Sequence, residues 1–163
     1  MTESNEVWSS DITYIPMASG FMYLTVILDW YSRFVLCWEL SNTLDSYFVL
    51  SALQRAFGKG KPVYFNSDQG SQYTSKVMTE TLLELGVQVS MAGKGRCFDN
   101  IFVERLWKTV KYEHVYLWNH STVPALYSGL KNHFQFYNEE RPHSSIGGKP
   151  PAEVYFNSLK GVS

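Results

Sequence analysis

Gly95-Arg96-Cys97-Phe98-Asp99-Asn100-Ile101-Phe102-Val103-Glu104-Arg105-Leu106-Trp107-Lys108-Thr109-Val110-Lys111 is the stretch around which the rest of the chain is organised. Its glycine and Asp-Asn pair are helix-entry residues, and an unbroken helix-compatible run follows them. At about 100° per residue, Asn100, Glu104, Lys108 and Lys111 share one narrow polar stripe. Phe102, Val103, Leu106 and Val110 gather on roughly the opposite side, so one face is expected in a core. Ile101 and Trp107 flank the stripe, which predicts a partly apolar cleft around Glu104 instead of open water. By itself, a glutamate with a lysine at i+4 also describes a solvated ion pair on an amphipathic helix. The strands that precede it decide between the two.

Upstream, Val7 to Ile15 reads as a strand that carries Asp11, and Pro16 to Gly20 as a turn. Phe21 to Leu28 and Arg33 to Leu40 are two more strands, joined by the short turn Asp29 to Ser32, and together they form an antiparallel meander. Asp45 or Ser46 caps a helix that runs to Gly58. Val63 to Ser67 is a fourth strand that ends at Asp68, and Gln69 to Gln72 a turn. Thr74 or Ser75 begins a helix that closes at Gly86, and Val87 to Met91 is a fifth strand. Ala92 to Gly95 reads as a mobile loop. Beyond the Glu104 helix, Leu126, Leu130, His133/Phe134 and Tyr137 recur at helical spacing over Val123 to Asn138. The tail reads as loop, with a short helical turn over Ala152 to Phe156. Three hairpin strands followed by alternating helices and strands predict an α/β fold, a five-stranded mixed sheet with helices on its faces. Residues 1–6 are a flexible lead-in, 7–118 the core, and 119–163 a helix and tail packed on or extending it.

The length of 163 residues favours one domain with a sizeable core, and 45% hydrophobic residues argue against general disorder. No apolar run approaches the length a membrane span requires, and no secretory signal is visible. Cys37 and Cys97 fit no zinc or C-x-x-C pattern, so a reducing cytoplasmic setting is expected. The four histidines lack tight metal-ligand spacing and read as structural or surface residues. A net charge of −1 does not mark a strong stand-alone nucleic-acid binder. Local charge differs: Lys94, Arg96, Arg105, Lys108 and Lys111 face only Asp99 and Glu104 across the same stretch. Such a basic strip beside acids can meet a phosphate backbone through side chains and metal ions together.

Three carboxylates stand out by position: Asp11 within a strand, Asp68 at a strand end where functional loops gather, and Glu104 on the later helix. Asp29 is demoted by geometry. With the hairpin turn near Ala18-Ser19, Asp11 opposes Val26, and Asp29 lies three residues on, roughly 10 Å away at about 3.3 Å per residue. It is expected to shape its turn. Asp45 and Asp99 fall at helix caps, while Glu80, Glu84 and Glu113 read as helix-surface acids. A carboxylate inside an apolar strand needs compensation, and converging carboxylates repel one another unless cations bind. Magnesium or manganese, two ions in the active complex, would answer both needs with hard oxygen ligands and drive in-line phosphoryl transfer.

Several stretches together carry a resemblance. They are Trp8-Ser9-Ser10-Asp11-Ile12-Thr13-Tyr14-Ile15, Leu28-Asp29-Trp30-Tyr31-Ser32-Arg33, Asn66-Ser67-Asp68-Gln69-Gly70-Ser71-Gln72-Tyr73-Thr74-Ser75, and Gly95 through Glu104. Tyr137-Asn138-Glu139-Glu140-Arg141-Pro142-His143 and Pro151-Ala152-Glu153-Val154-Tyr155 complete the set. The chain resembles the catalytic core of DDE transposases of bacterial insertion sequences, relatives of retroviral integrases with a ribonuclease-H-like fold. The 35 residues 69–103 that separate Asp68 from Glu104 suit that resemblance. It implies that Asp11, Asp68 and Glu104 are a metal-binding catalytic triad that cuts DNA strands and joins them. It also implies that Lys108 and Lys111 contact DNA, with Lys94 and Arg96 on the same basic strip, and that Asn100 helps hold the substrate or a ligand water. Expected partners are DNA (element ends and target), further copies of the chain, and an N-terminal DNA-binding region in the full-length protein, acting at the bacterial nucleoid. Two rivals are a non-catalytic DNA-binding or assembly remnant, and a glycoside hydrolase using two of the acids. The latter leaves the lysines and the third acid without a role.

Overall fold

The computed structural model describes residues 2–67, 71–91, 101–115 and 120–161. Its elements are β1 (Val7–Pro16), β2 (Phe21–Asp29), β3 (Val35–Ser41), α1 (Ser46–Phe57), β4 (Tyr64–Ser67), the short α2 (Ser71–Thr74), α3 (Lys76–Glu84) and β5 (Gln88–Met91). Then come α4 (Ile101–Val110), a π-helical turn (Lys111–Val115), α5 (Val123–Glu139), a 3-10 turn (Ser144–Ile146) and α6 (Pro151–Leu159). The sheet order is β3-β2-β1-β4-β5. β1, β2 and β3 form the antiparallel meander, and β4 and β5 add in parallel beyond β1. The expected mixed sheet is present.

Side-chain alternation explains why helices cover both faces. Trp8 and Ile27 turn to one face, under α1, α3 and α6, with Phe48, Leu53, Met78, Leu82 and Tyr155. Leu24, Val26, Leu28 and Ile15 turn to the other, under Val103, Leu106, Trp107 and Val110 of α4 and Leu126, Leu130, Phe134 and Tyr137 of α5. A strand whose two faces both meet helices has to be apolar nearly throughout, as β2 is.

Local chemistry sets the ends. Asp45 caps α1 by accepting from the Phe48 amide at 3.0 Å, and Ser75 caps α3 by accepting from Met78 at 3.3 Å. Thr122 does the same for α5. Two stretches differ from expectation. Ser71 and Gln72 begin a short helix where a turn was expected, and the tail forms a nine-residue helix instead of a brief turn. Pro151 opens that helix, a position where its missing N–H costs nothing. Tyr155 anchors it: the ring is fully buried, stacks on Phe34 at 4.6 Å and donates its hydroxyl to Asn5 at 2.9 Å. The segment ahead of β1 is engaged as well, with Ser4 buried and hydrogen-bonded to Ser158 and to the Tyr155 carbonyl.

Candidate active site

The β1–β2 register pairs Asp11 with Val26 and Trp8 with Asp29, as the hairpin geometry predicted. Opposed residues of an antiparallel pair point to the same face. Val26 belongs to the core under α4, so Asp11 also lies on the α4 side. There the indole Nε1–H of Trp107 donates to Asp11 Oδ2 at 3.1 Å. Thr25 fixes the backbone from the neighbouring strand, donating its hydroxyl to the Asp11 carbonyl at 2.9 Å. Asp11 is half-buried, and the compensation its charge requires includes this indole donor.

Glu104 stands on α4 three residues before Trp107. Positions i and i+3 are neighbours on a helix surface, roughly 5–6 Å apart at Cβ. The helix that carries Glu104 is therefore docked against the strand that carries Asp11. Glu104 itself is exposed, not set in an apolar cleft. The reason is helical phase: Val103, Leu106, Trp107 and Val110 face the sheet, which turns position 104 outward. Lys108 is exposed on the same stripe. Lys111 is half-buried and begins the π-helical turn, so the α-helical phase that aligned it with Glu104 ends at Val110.

Asp68, Lys94, Arg96 and Asn100 lie outside the described residues, as do the expected mobile loop Ala92–Gly95 and Cys97. What flanks Asp68 is described. Ser67 ends β4, which runs parallel to β1 with Ser9 paired to Asn66. On the far side of the gap, Tyr73 shares a hydrogen bond with Ser10 at 2.8 Å. Both flanks of Asp68 are thus tied to residues within two positions of Asp11. Among the described residues no three His, Cys, Asp or Glu side chains are grouped to hold a metal ion. The donors present on this face are carboxylate oxygens, which suit a hard cation and not a thiolate- or imidazole-loving one.

Asp29 shapes its turn. Its carboxylate accepts from the Asn5 amide at 2.8 Å, the Ser32 amide at 3.0 Å and the Ser32 hydroxyl at 2.6 Å. It is fully buried, and burial pushes its carboxyl above the usual range despite those donors. The next residues were missed as structural devices. Arg33 adopts a left-handed backbone (φ 65°), donates to the Trp30 carbonyl and lies over the Phe102 ring at 3.8 Å. Trp107 and Tyr73 were also missed as positioning residues. An indole directly beside the polar stripe was the visible signal for the former.

An integrase core domain model matches residues 1–97, and a second one of the same description matches residues 85–151. The chain belongs to the integrase core domain family. This integrase core is 35% identical over 156 residues to the transposase for insertion sequence element IS904 of Lactococcus lactis, covering 93% of the chain and 62% of that protein. It is 31% identical over 159 residues to transposase InsF for insertion sequence IS3A of Escherichia coli, covering 95% of the chain and 55% of the relative. The chain thus spans little more than half the length of the curated relatives it matches. The HTLV-2 integrase catalytic core domain in complex with magnesium superposes with a TM-score of 0.76 at 22% identity, covering 93% of this chain and 96% of that one. The BIV integrase catalytic core domain superposes with a TM-score of 0.75 at 19% identity, covering 96% and 97%. The integrase core therefore has the ribonuclease-H-like fold of retroviral integrase catalytic domains. No helix among the described residues is long and apolar enough to cross a membrane.

Proposed function

We infer that this chain is the catalytic core of an insertion-sequence transposase, cutting DNA strands and joining them by metal-dependent phosphoryl transfer. Asp11, Asp68 and Glu104 hold the metal in this reading. The observation that carries it is the Trp107–Asp11 hydrogen bond, which docks the glutamate-bearing helix onto the middle of β1. Asn66 and Tyr73 support the third member: on either side of the segment containing Asp68, Asn66 pairs with Ser9 and Tyr73 bonds to Ser10, both within two positions of Asp11.

Bound magnesium or manganese, as a pair of ions, supplies hard positive charge that activates an attacking hydroxyl and steadies the leaving oxygen. The protein's own residues do the positioning. The Trp107 indole N–H and the Thr25 hydroxyl fix Asp11 on the α4 side of the sheet. Glu104, exposed and followed by an exposed lysine one turn on, meets substrate and ions from the solvent side. Lys108, Lys111, Lys94 and Arg96 engage the phosphates, and Asn100 helps hold the scissile region. The partners are the element's DNA ends and target DNA, met by more than one copy of the chain. A DNA-binding region N-terminal to this core, in the full-length protein, supplies end recognition, and the setting is the bacterial cytoplasm. The 7–118 segment carries the triad, and 119–163 is a C-terminal helix and tail packed on that core.

The test is incubation with Mn²⁺ and labelled duplex carrying candidate element ends, scored for nicked and joined products. Asp11→Asn, Asp68→Asn and Glu104→Gln are each expected to abolish both products with the circular dichroism spectrum unchanged. Near-normal activity in any of the three removes that residue from the triad. Separately, Lys108→Ala/Lys111→Ala is expected to weaken DNA binding and flatten its salt dependence by up to about one unit of slope per lost phosphate contact.

A further inference from the structure

A cleft of about 730 Å³ opens on the flank of α4, between that helix, the C-terminal end of α5 and the loop that follows it. Arg33, Arg105 and Arg141 converge on it, with Ser144 and Ser145 as hydroxyl donors, while the Thr109 hydroxyl donates to the Arg105 carbonyl at 3.2 Å. Its size falls within the range of about 300–1,000 Å³ typical of ligand sites. On α4 the cleft takes Phe102, Arg105 and Thr109, each about 100° or more around the helix from Glu104, with Arg105 on the side nearer Lys108. It is a different surface from the proposed active face.

The three guanidiniums are held differently. Arg33 is fixed by the Trp30 carbonyl and the Phe102 ring. Arg141 makes a two-pronged pair with Glu113, at 2.8 Å from Nη2 and 3.1–3.2 Å from Nε. Arg105 is exposed, and its guanidinium makes no hydrogen bond or ion pair among the described residues. Even with Glu113 and the buried Asp29 behind Arg33 counted against them, the three arginines leave positive charge in excess. The neighbouring imidazole registers the same field: burial first, then Arg141 and Arg33, push His143 down to about 4. Gly147 and Gly148, both left-handed, reverse the chain so that Ser144 and Ser145 face the arginines. A planar fork beside hydroxyl donors is the chemistry that recognises a phosphate oxygen pair.

We propose that this cleft is a second nucleic-acid contact, a clamp on a backbone phosphodiester of the DNA away from the reacting strand. The proposal rests on reading the chain as a DNA-processing core. Metal-free binding of a short mixed-sequence duplex to the 163-residue chain is measured by fluorescence anisotropy over a range of salt, for the wild type, Arg105→Gln and Lys131→Gln. Lys131 lies on α5 outside the cleft and removes the same charge. The expected result is a several-fold loss of affinity for Arg105→Gln, with the salt slope shallower by about one unit, and little change for Lys131→Gln. Equal effects of the two variants, or none from Arg105→Gln while the wild type binds, overturn the clamp and leave the proposed function standing. A wild type that binds no duplex likewise overturns the clamp, and the proposed function is then judged by the metal-dependent cleavage assay. In a parallel titration followed by NMR, the duplex is expected to shift the Arg105 Nε–H and the Ser144, Ser145 and Gly148 amides. Shifts from inorganic phosphate alone, with none from the duplex, mean a free-anion site and overturn the clamp.

Discussion

Replacing Trp107 by Phe tests the contact that joins β1 to α4. The substitution keeps an aromatic ring in the core beneath α4 but removes the Nε1–H that donates to Asp11 Oδ2 at 3.1 Å. A hydrogen bond to a charged group contributes about 1.5–3 kcal/mol, and the lost ring atoms leave a small cavity costing on the order of 1 kcal/mol more. Trp107→Phe should therefore destabilise the fold by about 2–4 kcal/mol in total. For a chain of this size, each kcal/mol lowers the melting temperature by roughly 2–4 °C, giving a shift on the order of 10 °C. Packing loss alone would also destabilise, so the discriminating quantity is the coupling to Asp11. Urea unfolding of the wild type, Trp107→Phe, Asp11→Ala and the double variant forms a cycle from which packing cancels. A coupling of about 1.5 kcal/mol or more is expected. Additivity within about 0.5 kcal/mol, the scatter of independent sites, would mean that indole and carboxylate do not interact and that the docking of α4 rests on apolar contacts alone.

Further outcomes follow from the tail. Tyr155→Phe removes the hydroxyl bonded to Asn5 and should cost about 1 kcal/mol. Tyr155→Ala empties a fully buried ring site and should cost about 3–5 kcal/mol in the same urea assay. Losses near zero would contradict a tail helix integral to the core. His143, whose imidazole is pushed down to about 4 from an ordinary 6.5 by burial and nearby arginines, gives stability a pH dependence. Between those values the unfolded chain binds a proton that the native one does not, so stability is present above pH 6.5 and falls toward pH 4. His143→Gln should flatten that part of the pH–stability curve, and an unchanged slope would assign it to other groups.

Much of this arrangement was legible in the residues because each signal had a short physical reach. The hairpin turn alone set Asp11 opposite Val26, and a single count along β2 moved Asp29 off the site. Four apolar positions at helical spacing defined the buried face of α5, and all of them are in the core. What escaped depended on contacts between distant segments. Nothing local to Pro150-Pro151 tells that Tyr155 will find Phe34 and Asn5, so the sequence shows only a short helical turn over Ala152 to Phe156 where a nine-residue helix stands. Phase arithmetic on α4 found the apolar face but not its depth, so Glu104 was expected in a cleft and is exposed. The π-helical turn at Lys111 breaks the very periodicity that aligned this lysine with Glu104. The arginine cleft joins residues from three separate elements, and only folding assembles it.

The shared-metal claim is tested most directly by calorimetric titration of Mn²⁺ into the folded wild type and into Asp11→Asn, Asp68→Asn and Glu104→Gln. The wild type should bind, and each variant should lose at least about tenfold in affinity, the scale on which even indirect changes to a metal site act. A silent wild-type titration, or three variants that bind like the wild type, would contradict it.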